Sequence, residues 1–174
     1  MAGSKTFKII GIILAILAGI FLLAAFVWNS IVLGENKRIY ELGIVVIAQK
    51  GAKLAEIEIA DLEKMETTTL SCKPKDRKDP TPQTYTCVLF RDVLHQKGLA
   101  DKDFSLLVAK NVYGKTKAYA RDALLKSDGL YLAFRQDGLP VPPAGKMGLG
   151  PYLLIDKTND DENWCVNLIS VELN

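Results

Sequence analysis

Ile9-Ile-Gly-Ile-Ile-Leu-Ala-Ile-Leu-Ala-Gly-Ile-Phe-Leu-Leu-Ala-Ala-Phe-Val-Trp28 carries no charge, and Gly11 and Gly19 are its only residues outside the apolar set. Coiled as a helix at about 1.5 Å per residue, such a stretch covers roughly 30 Å, the thickness of a bilayer's hydrocarbon core. A cleaved secretory signal is the competing reading, with Lys5 and Lys8 as its basic flank. A signal core is only about 7–15 residues long, and no small-x-small cleavage site follows this one. The expectation is therefore a retained anchor over residues 9–33, with Trp28 near its outer end, where interfacial aromatics are favoured. Residues 1–8 read as a short cytoplasmic tail, 34–42 as a juxtamembrane linker, and 43–174 as one extracytoplasmic domain at the cell membrane. Basic residues flank both ends of the span, so the orientation rests on the shortness of the N-terminal side.

The apolar residues that remain are those of an ordinary globular domain. Four basic residues and one acidic residue lie in the first 38 positions, leaving 18 basic and 19 acidic ones beyond. The domain is thus nearly neutral despite the chain's net charge of +2. It has no basic stripe for nucleic acid.

Short strand signals follow one another through the domain. Leu42–Ala48 is a β-branched apolar run bounded by Gln49-Lys-Gly51, and Ile57 and Ile59 alternate with Glu56 and Glu58. Thr67–Cys72, Thr84–Val88, Phe104–Val108, Thr116–Ala120, Gly129–Arg135, Pro151–Ile155 and Trp164–Leu173 also read as strands. Asp137-Gly138 is a hairpin signal. Asp61–Met65 is one helical turn at most, Leu89–Lys97 has helical spacing ahead of Gly98, and Arg121–Lys126 is a brief helix. Lys73–Gln83, with three prolines and six charges, is a loop, as are Gly145–Gly150 and Asp156–Asn163. Many strands with few short helices give an α+β, mostly-β domain preceded by one transmembrane helix.

Candidate chemistry is sparse, and no catalytic residue is assigned. The one histidine, His95, sits beside a core face of its predicted helix and reads as structural. Gly145-Lys-Met-Gly-Leu-Gly150 has glycines enough for a phosphate cradle but not the strand-before, helix-after setting, so it reads as a turn for close backbone packing. Asp160-Asp-Glu162 reads as a solvated turn. Three cysteines leave one over in an oxidising compartment. If Thr67–Cys72 and Thr84–Val88 fold back about Asp79-Pro80, Cys72 and Cys87 face each other and a disulfide is expected, contributing about 3 kcal/mol. Cys165 then reads as a buried thiol.

From about Gly43 to Leu173 the chain resembles the molybdopterin-binding domain of the sulfite-oxidase-like oxidoreductases. The resembling segments are Ile57–Leu62, Thr67–Cys72, Tyr85–Leu94, Gly129–Gly138, Leu149–Ile155 and Trp164–Val171. In that family the cysteine matching Cys72 ligates molybdenum. Cys87 stands where the family has glycine, and Tyr152 stands at an arginine-matching position. The resemblance implies the family's fold, with a ligand cleft near Cys72, Tyr113, Lys115, Gly148 and Gly150. The leading expectation is a membrane-anchored ligand-binding or protein-interaction module, non-catalytic and without a cofactor. The alternative is a minimal molybdopterin-dependent oxidoreductase subunit with Cys72 as metal ligand. Expected partners are the membrane and a protein or small ligand not identified by sequence. Small residues Gly11, Ala15, Ala18 and Gly19 would suit helix packing in a larger membrane complex.

Overall fold

Gly43, at φ +65°, is the residue that separates helix from sheet. Its N–H closes the last turn on the Tyr40 carbonyl, the ending that a glycine in left-handed conformation gives a helix. Helix α1 therefore runs Gly3–Leu42, and the linker expected over residues 34–42 is helical instead. Gly34 lies inside it at a cost of about 1 kcal/mol relative to alanine. The turns that follow hold through the Lys37–Glu41 pair one turn apart and through side chains given below.

The computed structural model describes residues 3–72, 81–126, 129–142, 148–157 and 164–174. The chain divides into two units, Met1–Glu35 and Asn36–Asn174. In the first, most apolar side chains are exposed, Phe21 at 75% and Trp28 at 72%. Among the described residues, α1 is the one helix long and apolar enough to cross a membrane.

The described residues of the second unit form ten strands, β1 Ile44–Gln49, β2 Ala52–Glu58, β3 Thr68–Cys72, β4 Gln83–Leu89, β5 Leu106–Asn111, β6 Thr116–Ala120, β7 Leu130–Gln136, β8 Leu139–Pro140, β9 Leu153–Asp156 and β10 Leu168–Leu173. Helices α2 Ile59–Leu62, α3 Phe90–Gln96 and α4 Arg121–Leu125 are short. One sheet has the order β2-β1-β10-β5-β6, with β1 and β10 parallel and the other pairs antiparallel. The other has the order β3-β4-β7-β8, with β9 also on β7. Lys50-Gly51 and Asp137-Gly138 make two-residue turns with positive φ at both positions, the twist that suits a tight hairpin. The α+β class dominated by strands is as expected. The last strand begins later than expected because Asn167, at φ +55°, breaks the extended run from Trp164.

Strand β7 shows where the cores lie. Leu130, Leu132 and Phe134 face the main cluster with Val45, Ile47, Leu107, Leu168 and Val171 of the first sheet and Phe90, Val93 and Leu124 of the helices. Tyr131 and Ala133, on the opposite face, join a second cluster with Tyr85, Cys87, Val141, Leu153, Ile155 and Trp164. A strand buried on both faces reads as the unbroken apolar run seen here rather than as an alternation. The expected loop Lys73–Gln83 falls largely outside the described residues, as do residues 143–147 and 158–163. The Asp160-Asp-Glu162 turn lies among these, as does Gly145.

Candidate functional site

The second cluster is the setting of Cys72. Strands β3 and β4 pair with Leu70 opposite Tyr85, both of which turn to this cluster. That register puts Cys72 opposite Gln83 and Cys87 opposite Thr68, so the two cysteines do not face each other as expected. A slip of four residues keeps each side chain on its own face, because the pleat repeats every two residues. It also separates the cysteines along the ladder by about 13 Å, whereas a disulfide needs Cα atoms about 4.4–6.8 Å apart. None of the three cysteines is in a disulfide, which corrects the Cys72–Cys87 pairing.

The thiols differ in environment. Cys87 is fully buried and donates weakly to the Thr68 carbonyl at 3.5 Å. Burial, reinforced by the charge of Cys72, pushes its thiol up to about 12. Burial pushes Cys165 up to about 12 as well. Neither is a thiolate at neutral pH, so neither is a nucleophile or a ready metal ligand. Cys72 is half-buried against the second cluster, where Tyr85 and Trp164 meet edge to face at 5.7 Å and 86°. The Tyr85 hydroxyl donates to Gln83 at 2.7 Å, which ties the cross-strand neighbour of Cys72 into the same cluster.

Tyr113 and Lys115 lie in the turn between β5 and β6. Buried Asn111 shapes that turn by accepting from the N–H groups of Tyr113 at 3.0 Å and Lys115 at 2.9 Å. Both side chains are exposed. A chain of backbone bonds links the turn to the glycine loop, because Val112 N–H donates to the Asn167 carbonyl and Asn167 N–H to the Leu149 carbonyl. Leu149 in turn packs against the cluster that holds Cys72. Backbone bonds thus connect the segments that carry the expected cleft residues.

Gly148 and Gly150 are buried. A Cβ on Gly150 would come within 2.6 Å of both the Cβ and the carbonyl oxygen of Val141, and its N–H donates to the Pro142 carbonyl. The missing side chain makes room for the chain itself. The next peptide, Gly150–Pro151, is cis. Tyr152 is fully buried and its hydroxyl donates to the Gly43 carbonyl at 2.6 Å. Burial raises its phenol well above the usual range.

Four polar residues at the start of this unit escaped the sequence reading. Asn36 is 6% exposed and accepts from Lys110 Nζ at 3.3 Å. Tyr40, one turn on, donates to the side chain of buried Asn167 at 3.5 Å. Asn111 and Asn167 complete the set. Their spacing carries no motif, and the only cue is an Asn–Tyr pair one helical turn apart just past the apolar span.

The arginine-matching position is a tyrosine buried on Gly43, and the glycine approach is filled by Val141. Among the described residues no three His, Cys, Asp or Glu side chains gather where a metal could be held. His95 is exposed on α3, away from this cluster.

No family model matches the chain, and no curated protein matches it. The crystal structure of the sulfane dehydrogenase SoxCD from Paracoccus pantotrophus is similar in fold, with a TM-score of 0.55 at 15% identity. The likeness covers 75% of this chain and 37% of that one, so it concerns about a third of the other chain's length. At this identity it shows a shared fold and nothing of activity.

Proposed function

We propose that this chain is a single-pass membrane module whose domain, of the sulfite-oxidase-like type, lies outside the cytoplasm and engages a protein partner or small ligand without molybdopterin and without catalysis. The packing of residues 148–152 onto their own chain carries the proposal. Val141 fills the space beside Gly150, and Tyr152 spends its hydroxyl on Gly43. Two positions that would face a cofactor in the resembling family serve the fold instead. The exposed apolar surface of α1 supports the anchor, since a bilayer covers such a surface and water does not.

Metal analysis tests this reading on the full chain, purified in detergent from cells that make the cofactor. The expected result is less than about a tenth of an equivalent of molybdenum, with Cys72 open to alkylation in the folded protein. About one equivalent of molybdenum, with Cys72 protected until the metal is stripped, would return the oxidoreductase subunit to first place.

A further inference from the structure

Helices α3 and α4 border a second feature, unrelated to Cys72. An open pocket there is lined by Arg91, Leu94, His95, Phe104, Arg121 and Leu124. Leu94, Phe104 and Leu124 are buried and form its apolar floor. Arg91 and His95 are one turn apart on α3 and so share a face. The guanidinium of Arg121 lies over the Phe104 ring at 5.0 Å, a stacking that holds its plane in place.

Arg121 is poorly satisfied. Its Nε is buried with no hydrogen-bond partner, and its Nη1 is 3.8 Å from Asp103, a fully exposed carboxylate. An exposed pair at that distance contributes little, while a buried guanidinium N–H without an acceptor is destabilising. Arg91 is better placed, with Nε on Asp92 at 3.3 Å and Nη1 on the Leu125 carbonyl at 3.5 Å. Two arginines and one histidine thus meet two peripheral aspartates over an apolar floor.

We propose that this pocket binds a small organic monoanion, a carboxylate carrying a short apolar body. Guanidinium N–H groups match the planar carboxylate, and the floor takes the hydrocarbon. Asp92 and Asp103 offset part of the positive charge, which favours one negative charge over two. The enclosed space, about 30 Å³, is far below the usual range for drug-sized ligands, so the ligand is small and partly in solvent.

His95 is the chain's one histidine, so its imidazole resonances report on this pocket alone. The experiment titrates benzoate into the full chain in detergent micelles at constant pH, with benzyl alcohol and inorganic sulfate as comparison probes. Benzoate should shift the His95 signals saturably with a Kd of about 1 mM. Benzyl alcohol and sulfate should each bind at least about tenfold more weakly. Arg121→Met should weaken benzoate about tenfold, and Arg91→Gln, which leaves the Phe104 stack intact, keeps the test valid if Arg121→Met does not fold. No saturable shift with benzoate, or an unchanged Kd in Arg91→Gln, overturns the site. Sulfate binding as tightly as benzoate overturns the carboxylate assignment.

Discussion

The Tyr152 hydroxyl and the Gly43 carbonyl, 109 residues apart in sequence, are joined by a 2.6 Å hydrogen bond. The bond connects the residue that ends α1 to the entry of β9, and Tyr152 is fully buried around it. Tyr152→Phe removes the donor and leaves a carbonyl without its partner. We expect a loss of about 1–2 kcal/mol, read as a lower urea midpoint with an unchanged slope for the full chain in detergent. An unaltered midpoint would show that water replaces the hydroxyl at no cost.

Gly150→Ala should destabilise the domain by about 1–3 kcal/mol, since the new Cβ would meet both the side chain and the carbonyl of Val141 at 2.6 Å. Val141→Ala in the same chain should not rescue it, because the Cβ and carbonyl of residue 141 remain. Recovery in the double variant would mean that only the branched methyls matter.

The buried thiols make the fold sensitive to alkali. Cys87 and Cys165 are raised from 9.0 to about 12 in the folded chain. Below about pH 9 both states keep these protons, so the thiols add no pH dependence. Between about pH 9 and 12 the unfolded chain loses them and the folded chain does not, so stability falls as pH rises. Urea midpoints measured across that window should decline, and less steeply in Cys87→Ala, even though that variant starts lower from its cavity. Parallel slopes would remove Cys87 from the account.

Thiol labelling distinguishes the three cysteines and the orientation together. In the folded chain Cys72 should react first and the two buried thiols only after denaturation. With a membrane-impermeant maleimide added to intact cells, Cys72 should label from outside. Labelling that requires lysis would place the domain on the cytoplasmic side.

What could be read in advance followed from local chemistry. The uncharged run to Trp28 and the Asp137-Gly138 turn each act within a few residues and each is found as an element, whereas the alternation at Ile57 and Ile59 is strand only as far as Glu58, Ile59 opening α2. The extension of α1 past Gly34 was not legible, because Asn36 and Tyr40 are held by Lys110 and Asn167, 74 and 127 residues away. The β3–β4 register was hidden for another reason. A four-residue slip leaves the inward and outward pattern unchanged, so alternation alone does not decide it. In the candidate site, Cys72 was identifiable as a residue, but its neighbours were not. The Val141 contact that explains Gly150 joins two residues nine positions apart and has no local signal.

The strand order β2-β1-β10-β5-β6 has a consequence for biosynthesis. Among the described residues, strand β10 joins the β1–β2 hairpin to the β5–β6 hairpin in this sheet. Until residues 168–173 leave the ribosome, the first sheet exists only as two separate hairpins, each with a bare edge of unpaired backbone. Bare edges are where strands find wrong partners. The N-terminal helix emerges first, so a chain already held at the bilayer would wait with both edges open until its last strand closes them.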